Sequence, residues 1–331
     1  MNHLHRELAP ISERAWGQIE AEAVRALRHF LTARRLVDVQ GPHGWRHSAL
    51  GLGRAEPVAA APGDGVQARL RRVQPLVELR TPFALSREEI EAADRGAPDA
   101  DWDPVIEAAR RAALAEDRLV FAGMPAAGVR GVVEASPHAP IAINEDYDHY
   151  PNSVASAVEA LKRAGVAGPY AIALGPRCYT GVIETTQHGG YPVLEHLRLI
   201  AEGPVIWAPA VDGAVVMSQR GDDFELVVGQ DLSIGYLGHD EREVRLYLEE
   251  SATFRPAGPE AAVALAYRDL ASGSRARGGR RRALGSADRK GSIPQRRHRH
   301  DGHRPGGAGL ARRGGRDLRR PAAVRVEEHP R

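Results

Sequence analysis

PLVELRTPFALSREEIEAADRG, residues 75–96, is the stretch on which the fold turns. Its first half predicts a strand: Leu76, Glu78 and Arg80 alternate with Val77, Leu79 and Thr81, a period of two that gives the segment an inner and an outer face. Its second half predicts a helix. Ser86 is a good N-cap, Glu89 stands three residues on as in a capping box, and Gly96 closes the segment. A strand that runs directly into a capped, acidic helix is the middle of a larger unit.

Outward from this spine, residues Ser12 to Arg35 predict a long amphipathic helix, with Trp16, Ile19, Ala23, Leu27, Phe30 and Leu31 at spacings of three and four. A short strand, Leu36 to Val39, and a turn, Gly41 to Gly44, follow. Gly51 to Gly65 has turn residues at both ends between strand-forming flanks, which predicts a hairpin projecting from the body to reach another chain. Asp103-Pro104 opens a helix, as N-cap and first-turn proline, that runs to about Arg118. Asn152 or Ser153 starts another, stopped by Gly165. Strands are expected at Tyr170 to Leu174, Val205 to Ala208, Ala214 to Gln219, Phe224 to Gly229 and Val244 to Glu249, with a helix at Tyr191 to Ala201. Arg220-Gly221-Asp222-Asp223 then reads as a hairpin turn, which also explains its adhesion-like tripeptide. The class is α+β: long helices and antiparallel strands without the βαβ alternation of a doubly wound fold.

Charge is divided unevenly along the 331 residues. The formal net charge of +2 combines +13 over residues 271–331 with −11 over the rest. After about Tyr267, Arg, Gly, Ala and Pro dominate and hydrophobic periodicity ends, so that segment is expected to be disordered. No run of about 18 apolar residues occurs, so no membrane span is expected, and the polar opening MNHLHRELAPISERAW reads as no signal peptide. The one cysteine, Cys178, has no intrachain partner, which fits a reducing compartment.

Catalytic signatures are missing. The sequence has no Walker loop, no dinucleotide glycine fingerprint, no HExxH, no GxSxG and no paired CxxC. Nothing in the sequence supplies a base for Cys178, which reads as a plain thiol. His298, His300 and His303 fit a basic tail better than a metal site, and Asp99, Asp101 and Asp103 lack the glycine and terminal glutamate of a calcium loop. The expectation is no catalytic residue, no metal and no cofactor.

Several dense motifs carry a resemblance. HLHRELAPISERAWGQIEAEA, RRLVDVQGPHGW, PLVELRTPFALSREEIEAADRG, DWDPVIEAA, EDRLVFAG, VAGPYAIAL, GDDFELVVGQDLSIGY and VRLYLEES resemble the encapsulin shell proteins, formerly the linocin-type bacteriocins, in order from Met1 to about Tyr267. The resemblance implies the fold of the phage HK97 major capsid protein. Residues 1–50, 70–135 and 225–267 would form the peripheral domain, 51–69 the extended loop and 136–224 the axial domain. It implies a shell subunit that assembles with itself into an icosahedral compartment in the bacterial cytoplasm. The cargo would be a dye-decolourising peroxidase or ferritin-like protein, serving oxidative-stress defence or iron storage and docked by a C-terminal targeting peptide. Leu27, Phe30, Leu31, Arg34, Asp38 and Ile234 match the family's peptide groove, and His188, Gly189, Gly190 and Tyr191 match the rim of its five-fold pore, with one residue more here. Where some relatives carry a flavin-stacking Trp this chain has Glu88, so no flavin site is carried over. The older family name offers a rival reading, a bacteriocin-like or hydrolytic soluble protein. The 64 residues after Tyr267 depart from the family. They read either as a frameshifted end, the preferred reading, or as a genuine basic extension able to bind nucleic acid.

Overall fold

The computed structural model describes residues 3–187 and 190–267. In chain order the elements are α1 Glu13–Phe30, β1 Asp38–Gln40, β2 Ala49–Pro57, β3 Arg69–Pro75, β4 Val77–Ser86, α2 Arg87–Arg95, α3 Asp103–Phe121, β5 Gly123–Met124, β6 Val129–Arg130, α4 Val132–Ala135 and β7 Ile141–Ile143. They continue with α5 Tyr150–Arg163, β8 Tyr170–Leu174, α6 Pro176–Glu184, α7 Val193–Ala201, β9 Val205–Trp207, β10 Ala214–Ser218, β11 Phe224–Val228, β12 Ser233–His239, β13 Glu243–Pro256 and β14 Ala262–Tyr267.

Strand β4 and helix α2 occupy the stretch that opened the sequence reading. Along β4 the side chains of Phe83 and Leu85 are buried, while Glu78, Arg80 and Pro82 face outward. Pro82 is tolerated because β4 has a single neighbour, β13. Gly96 ends α2 in the left-handed region at φ 102°, where a residue with a Cβ is disfavoured. The expected capping box does not form. Ser86 is still paired in the sheet, opposite Glu243, and caps nothing with its side chain. Glu89 instead accepts a hydrogen bond from the Asp101 amide at 2.8 Å.

Two five-stranded sheets share the chain. In the first, β13 is the spine: it pairs antiparallel with β4 on one edge and with β12 and then β11 on the other, and β1 joins β11 in parallel. Helix α3 lies on this sheet and α1 lies on α3. Their contact buries Ile19, Ala23 and Leu27 of α1 and Val105, Ala109 and Ala113 of α3, with Phe83, Leu85, Leu246 and Leu248 beneath. Each large aliphatic side chain buried there stabilises the fold by about 1.5–3 kcal/mol. The second sheet runs β7-β14-β10-β8-β9, with α5 and α7 packed together beside it. Its core includes Val154, Leu161, Ile172, Leu174, Leu197 and Val216.

Two further sequence expectations are corrected. Residues 220–223 are no hairpin turn. β10 pairs with β8 and β14 in one sheet and β11 with β13 and β1 in the other, so the segment is a crossing between sheets. There the Arg220 guanidinium grips Asp223 with both nitrogens, at 2.7 and 2.8 Å. Helix α1 stops at Phe30 rather than Arg35, because the Asp117 carboxylate takes the amides of Thr32 and Ala33 and the Thr32 hydroxyl. Residues Ala262–Tyr267 pair in the second sheet, whereas β11, β12 and β13 pair in the first. The disorder and the His298, His300 and His303 reading fall outside the described residues.

The predicted hairpin exists. β2 and β3 pair only with each other, and no residue from Ala49 to Pro75 is buried. Leu70 is 62% exposed and Val73 51%, on a ladder interrupted by an irregularity between Gly51 and Ala55.

Candidate functional site

The six residues expected to line a peptide groove do not share one surface. Leu27, Leu31 and Ile234 lie in the core beneath α1, at 0%, 4% and 0% exposure, so a docking peptide cannot touch them in this conformation. Periodicity marked the stripe as inward-facing; a groove assignment needs side chains that remain reachable.

Phe30 is half-buried at the end of α1 and meets aromatic and apolar neighbours from other elements. Its ring lies 4.7 Å from His29 and 5.9 Å from Trp207, with the Arg110 guanidinium 6.0 Å above it. Arg25, Ala26, Arg28, His29, Phe30 and Ile106 line an open depression of about 510 Å³. Apolar at its floor and basic at its edge, this patch can take an aliphatic or aromatic anchor from a segment carrying negative charge. Trp207 reaches it from the second sheet and Ile106 and Arg110 from α3, partners that sequence spacing alone could not bring together.

Arg34 and Asp38 line a second cleft, of about 230 Å³, with Arg35, Gln219 and Asp223. Asp38 is exposed, and its carboxylate accepts the Asp222 amide at 2.7 Å. Arg34 points the other way. Its Nη2 donates to Glu116 at 2.6 Å, Glu250 at 2.6 Å and Asp231 at 2.9 Å, while Nε donates to Glu116 at 2.9 Å. Burial opposes its charge, but the carboxylates of Glu116, Glu250 and Asp231 outweigh that and hold the guanidinium pKa above its ordinary value. Arg34 is therefore committed to a buried ion cluster and does not present its charge to a peptide. Glu116 gave a signal in the sequence: it stands four residues after Ala112 and three after Ala113, on the buried stripe of α3.

Of the rim residues, His188 and Gly189 lie outside the described residues. Gly190 adopts φ 79° and its amide closes a turn onto the Gln187 carbonyl at 2.9 Å. Tyr191 is 46% exposed and packs edge-on to His196, whose Nδ1 is 2.8 Å from Gln187 Oε1. The loop is thus braced at its base and open at Tyr191. Cys178 is buried with its sulfur 3.2 Å from the Tyr267 hydroxyl, and burial pushes its thiol pKa up, away from nucleophilic use. Among the described residues no group of three or more His, Cys, Asp or Glu could hold a metal ion, and no helix is long and apolar enough to cross a membrane.

Comparison with known proteins gives this geometry its frame. Residues 1–253 match the Linocin_M18 family, described as an encapsulating protein for peroxidase. The type 1 encapsulin shell protein of Rhodospirillum rubrum is 54% identical over 270 residues, covering 80% of this chain and 96% of the relative. The chain belongs to the encapsulin shell-protein family. The Mycobacterium tuberculosis type 1 encapsulin shell protein is 47% identical and is covered in full, with 81% of this chain aligned. A virus-like particle of Pyrococcus furiosus shares the fold, with a TM-score of 0.56 over 76% of this chain and 98% of that one at 18% identity. The architecture is the capsid type, as the motifs implied. An encapsulin shell subunit is a structural protein that associates with its own kind into a capsid-like compartment, which displaces the hydrolytic reading.

Proposed function

We propose that this chain is the wall subunit of an icosahedral nanocompartment in the bacterial cytoplasm, enclosing a dye-decolourising peroxidase or a ferritin-like protein held by a C-terminal targeting peptide. The likeness to shell proteins along almost their whole length carries this reading. The unburied hairpin Ala49–Pro75 supports it, because an isolated two-stranded ribbon is marginal in water and gains stability only against another surface. In this reading residues 51–69 are the extended loop, the sheet spined by β13 belongs to the peripheral domain, and the second sheet belongs to the axial domain. His188, Gly189, Gly190 and Tyr191 form the pore rim.

The docking surface is the Phe30 patch, rather than the buried Leu27, Leu31 and Ile234 or the separate cleft that Asp38 lines. One aliphatic anchor yields about 1.5–3 kcal/mol, against about 2–5 kcal/mol to order the peptide. Single peptides then bind weakly, and a cargo with several peptides gains by multivalency.

The test is production of the chain alone and with a fluorescent protein bearing the C-terminal peptide of a peroxidase encoded beside it. Closed particles under negative stain, with fluorescence co-eluting and Phe30→Ala reducing it at least about fivefold, support the reading. A chain that stays monomeric in dilute neutral buffer overturns the shell assignment. Particles that form but exclude the client overturn the cargo assignment only.

A further inference from the structure

We propose that the buried carboxylates around Arg34 form a proton-operated latch: one proton retained among them clamps residues 31–37 onto α3 and β13, and its loss at alkaline pH releases that connector. The latch does not depend on what the shell encloses.

Four pieces of chain meet here. Arg34 comes from the turn after α1, Glu116 and Asp117 from α3, Asp231 from the β11–β12 link, and Glu250 from β13. Glu116 and Glu250 are 0% and 1% exposed. Three carboxylates facing one guanidinium leave an ionised cluster with an excess of two negative charges, in a place where water cannot screen them. Asp117 adds a fourth acid whose partners, the Thr32 and Ala33 amides and the Thr32 hydroxyl, are all neutral. No other Lys or Arg among the described residues bonds to these acids. Arg80 bonds instead to Glu249, the neighbour that alternation turns to the opposite face of β13, and Arg35 is exposed.

Geometry marks where the proton sits. Glu250 Oε1 accepts from Arg34, but the buried Glu250 Oε2 has no hydrogen-bond partner when both carboxyls are ionised. A proton there makes it a donor toward Glu116 and removes one of the two excess charges. Burial first, and Glu116 next, raise the Glu250 pKa well above its ordinary value of 4.5.

The sign follows from linkage. A carboxyl whose folded pKa is raised contributes stability that is full below its unfolded pKa, near 4.5, and lost as pH rises through the folded value. Above that value, repulsion acts on the connector that Arg34 pins. Its remaining ties are the Asp117 bonds, the turn closed by the Arg35, Leu36 and Val37 amides on the Thr32 and Ala33 carbonyls, the Gln219 bond to the Leu36 carbonyl at 3.0 Å, and the buried Leu31, Ala33 and Leu36 side chains. β1, which follows directly, loosens with it.

Hydrogen exchange on assembled particles, corrected for intrinsic rates, tests the latch between about pH 6 and pH 10. Protection at Thr32, Ala33, Leu36 and Val37 falls at least about tenfold in the wild type. Glu250→Gln, which keeps the shape and removes the titration, flattens the change, and the exposed control Glu88→Gln leaves it. Infrared spectra of wild-type particles show a protonated carboxyl band at about pH 7 that disappears in step with the exchange. This second measurement stands if Glu250→Gln does not assemble, and Glu116→Gln then serves as the alternative variant. Flat wild-type protection, no protonated carboxyl band at about pH 7, or an unaltered pH response in Glu250→Gln overturns the proposal.

Discussion

The hairpin Ala49–Pro75 and the strand β13 are both extended chain, yet they solve opposite problems. β13 is flanked on both edges, and ten of its fourteen residues are buried, so its stability comes from within the subunit. The hairpin buries none of its residues and leaves Val58, Val66, Leu70 and Val73 in solvent. Among the described residues, its one hydrogen bond to the body beyond its own base is weak, a 3.5 Å bond from the Gln74 side chain to the Ala127 carbonyl. Exposed strands of this kind invite pairing with another chain. In the proposed shell, one segment serves the fold of the subunit and the other its assembly.

Replacing residues 52–68 by a short turn gives the largest effect. Particles no longer form under negative stain, while the circular dichroism and thermal unfolding of the isolated subunit stay close to wild type. Loss of the subunit fold would remove the distinction. Phe254→Ala, in β13, costs about 3–5 kcal/mol in denaturant unfolding of dissociated subunits. Arg34→Ala leaves Glu116, Asp231 and Glu250 without their cation and costs about 3 kcal/mol near neutral pH.

Asp117 offers a smaller, graded effect. Burial raises its pKa from 3.8 to about 7, with hydrogen bonds from Thr32 and Ala33 opposing the shift. The stability it contributes is full below about pH 3.8 and is lost as pH rises through about 7, so Asp117→Asn flattens subunit stability over that window in a urea series. Smallest is Leu70→Ala on the hairpin. Subunit stability changes by less than about 0.5 kcal/mol, whereas the concentration needed for particles to form rises measurably by light scattering.

Local features of the first sheet were legible in the sequence because local rules governed them. Alternation gave the two faces of β4, and Gly96 gave the end of α2. Strand β8 was legible over its full length, Tyr170–Leu174. The end of α1 was not legible, since the carboxylate that stops it lies 85 residues away in sequence. The 220–223 turn misled for a related reason: a two-strand reading assumes the flanking strands pair, and only the sheets decide that they do not. Of the candidate site, Phe30 and Asp38 were named by resemblance, and the structure leaves both reachable in separate depressions. Trp207, Arg110 and the acids around Arg34 emerged when α1, α3, β9 and β13 were packed together.

The sequence by itself determined the family, the α+β class, the apolar stripe of α1 and the projecting hairpin, because motif identity and hydrophobic period are properties of neighbours along the chain. Tertiary structure alone decided which residues of that stripe remain reachable, and that Arg34 turns inward to three carboxylates. Burial and charge pairing depend on which distant segments share a space, and no spacing along the chain records that.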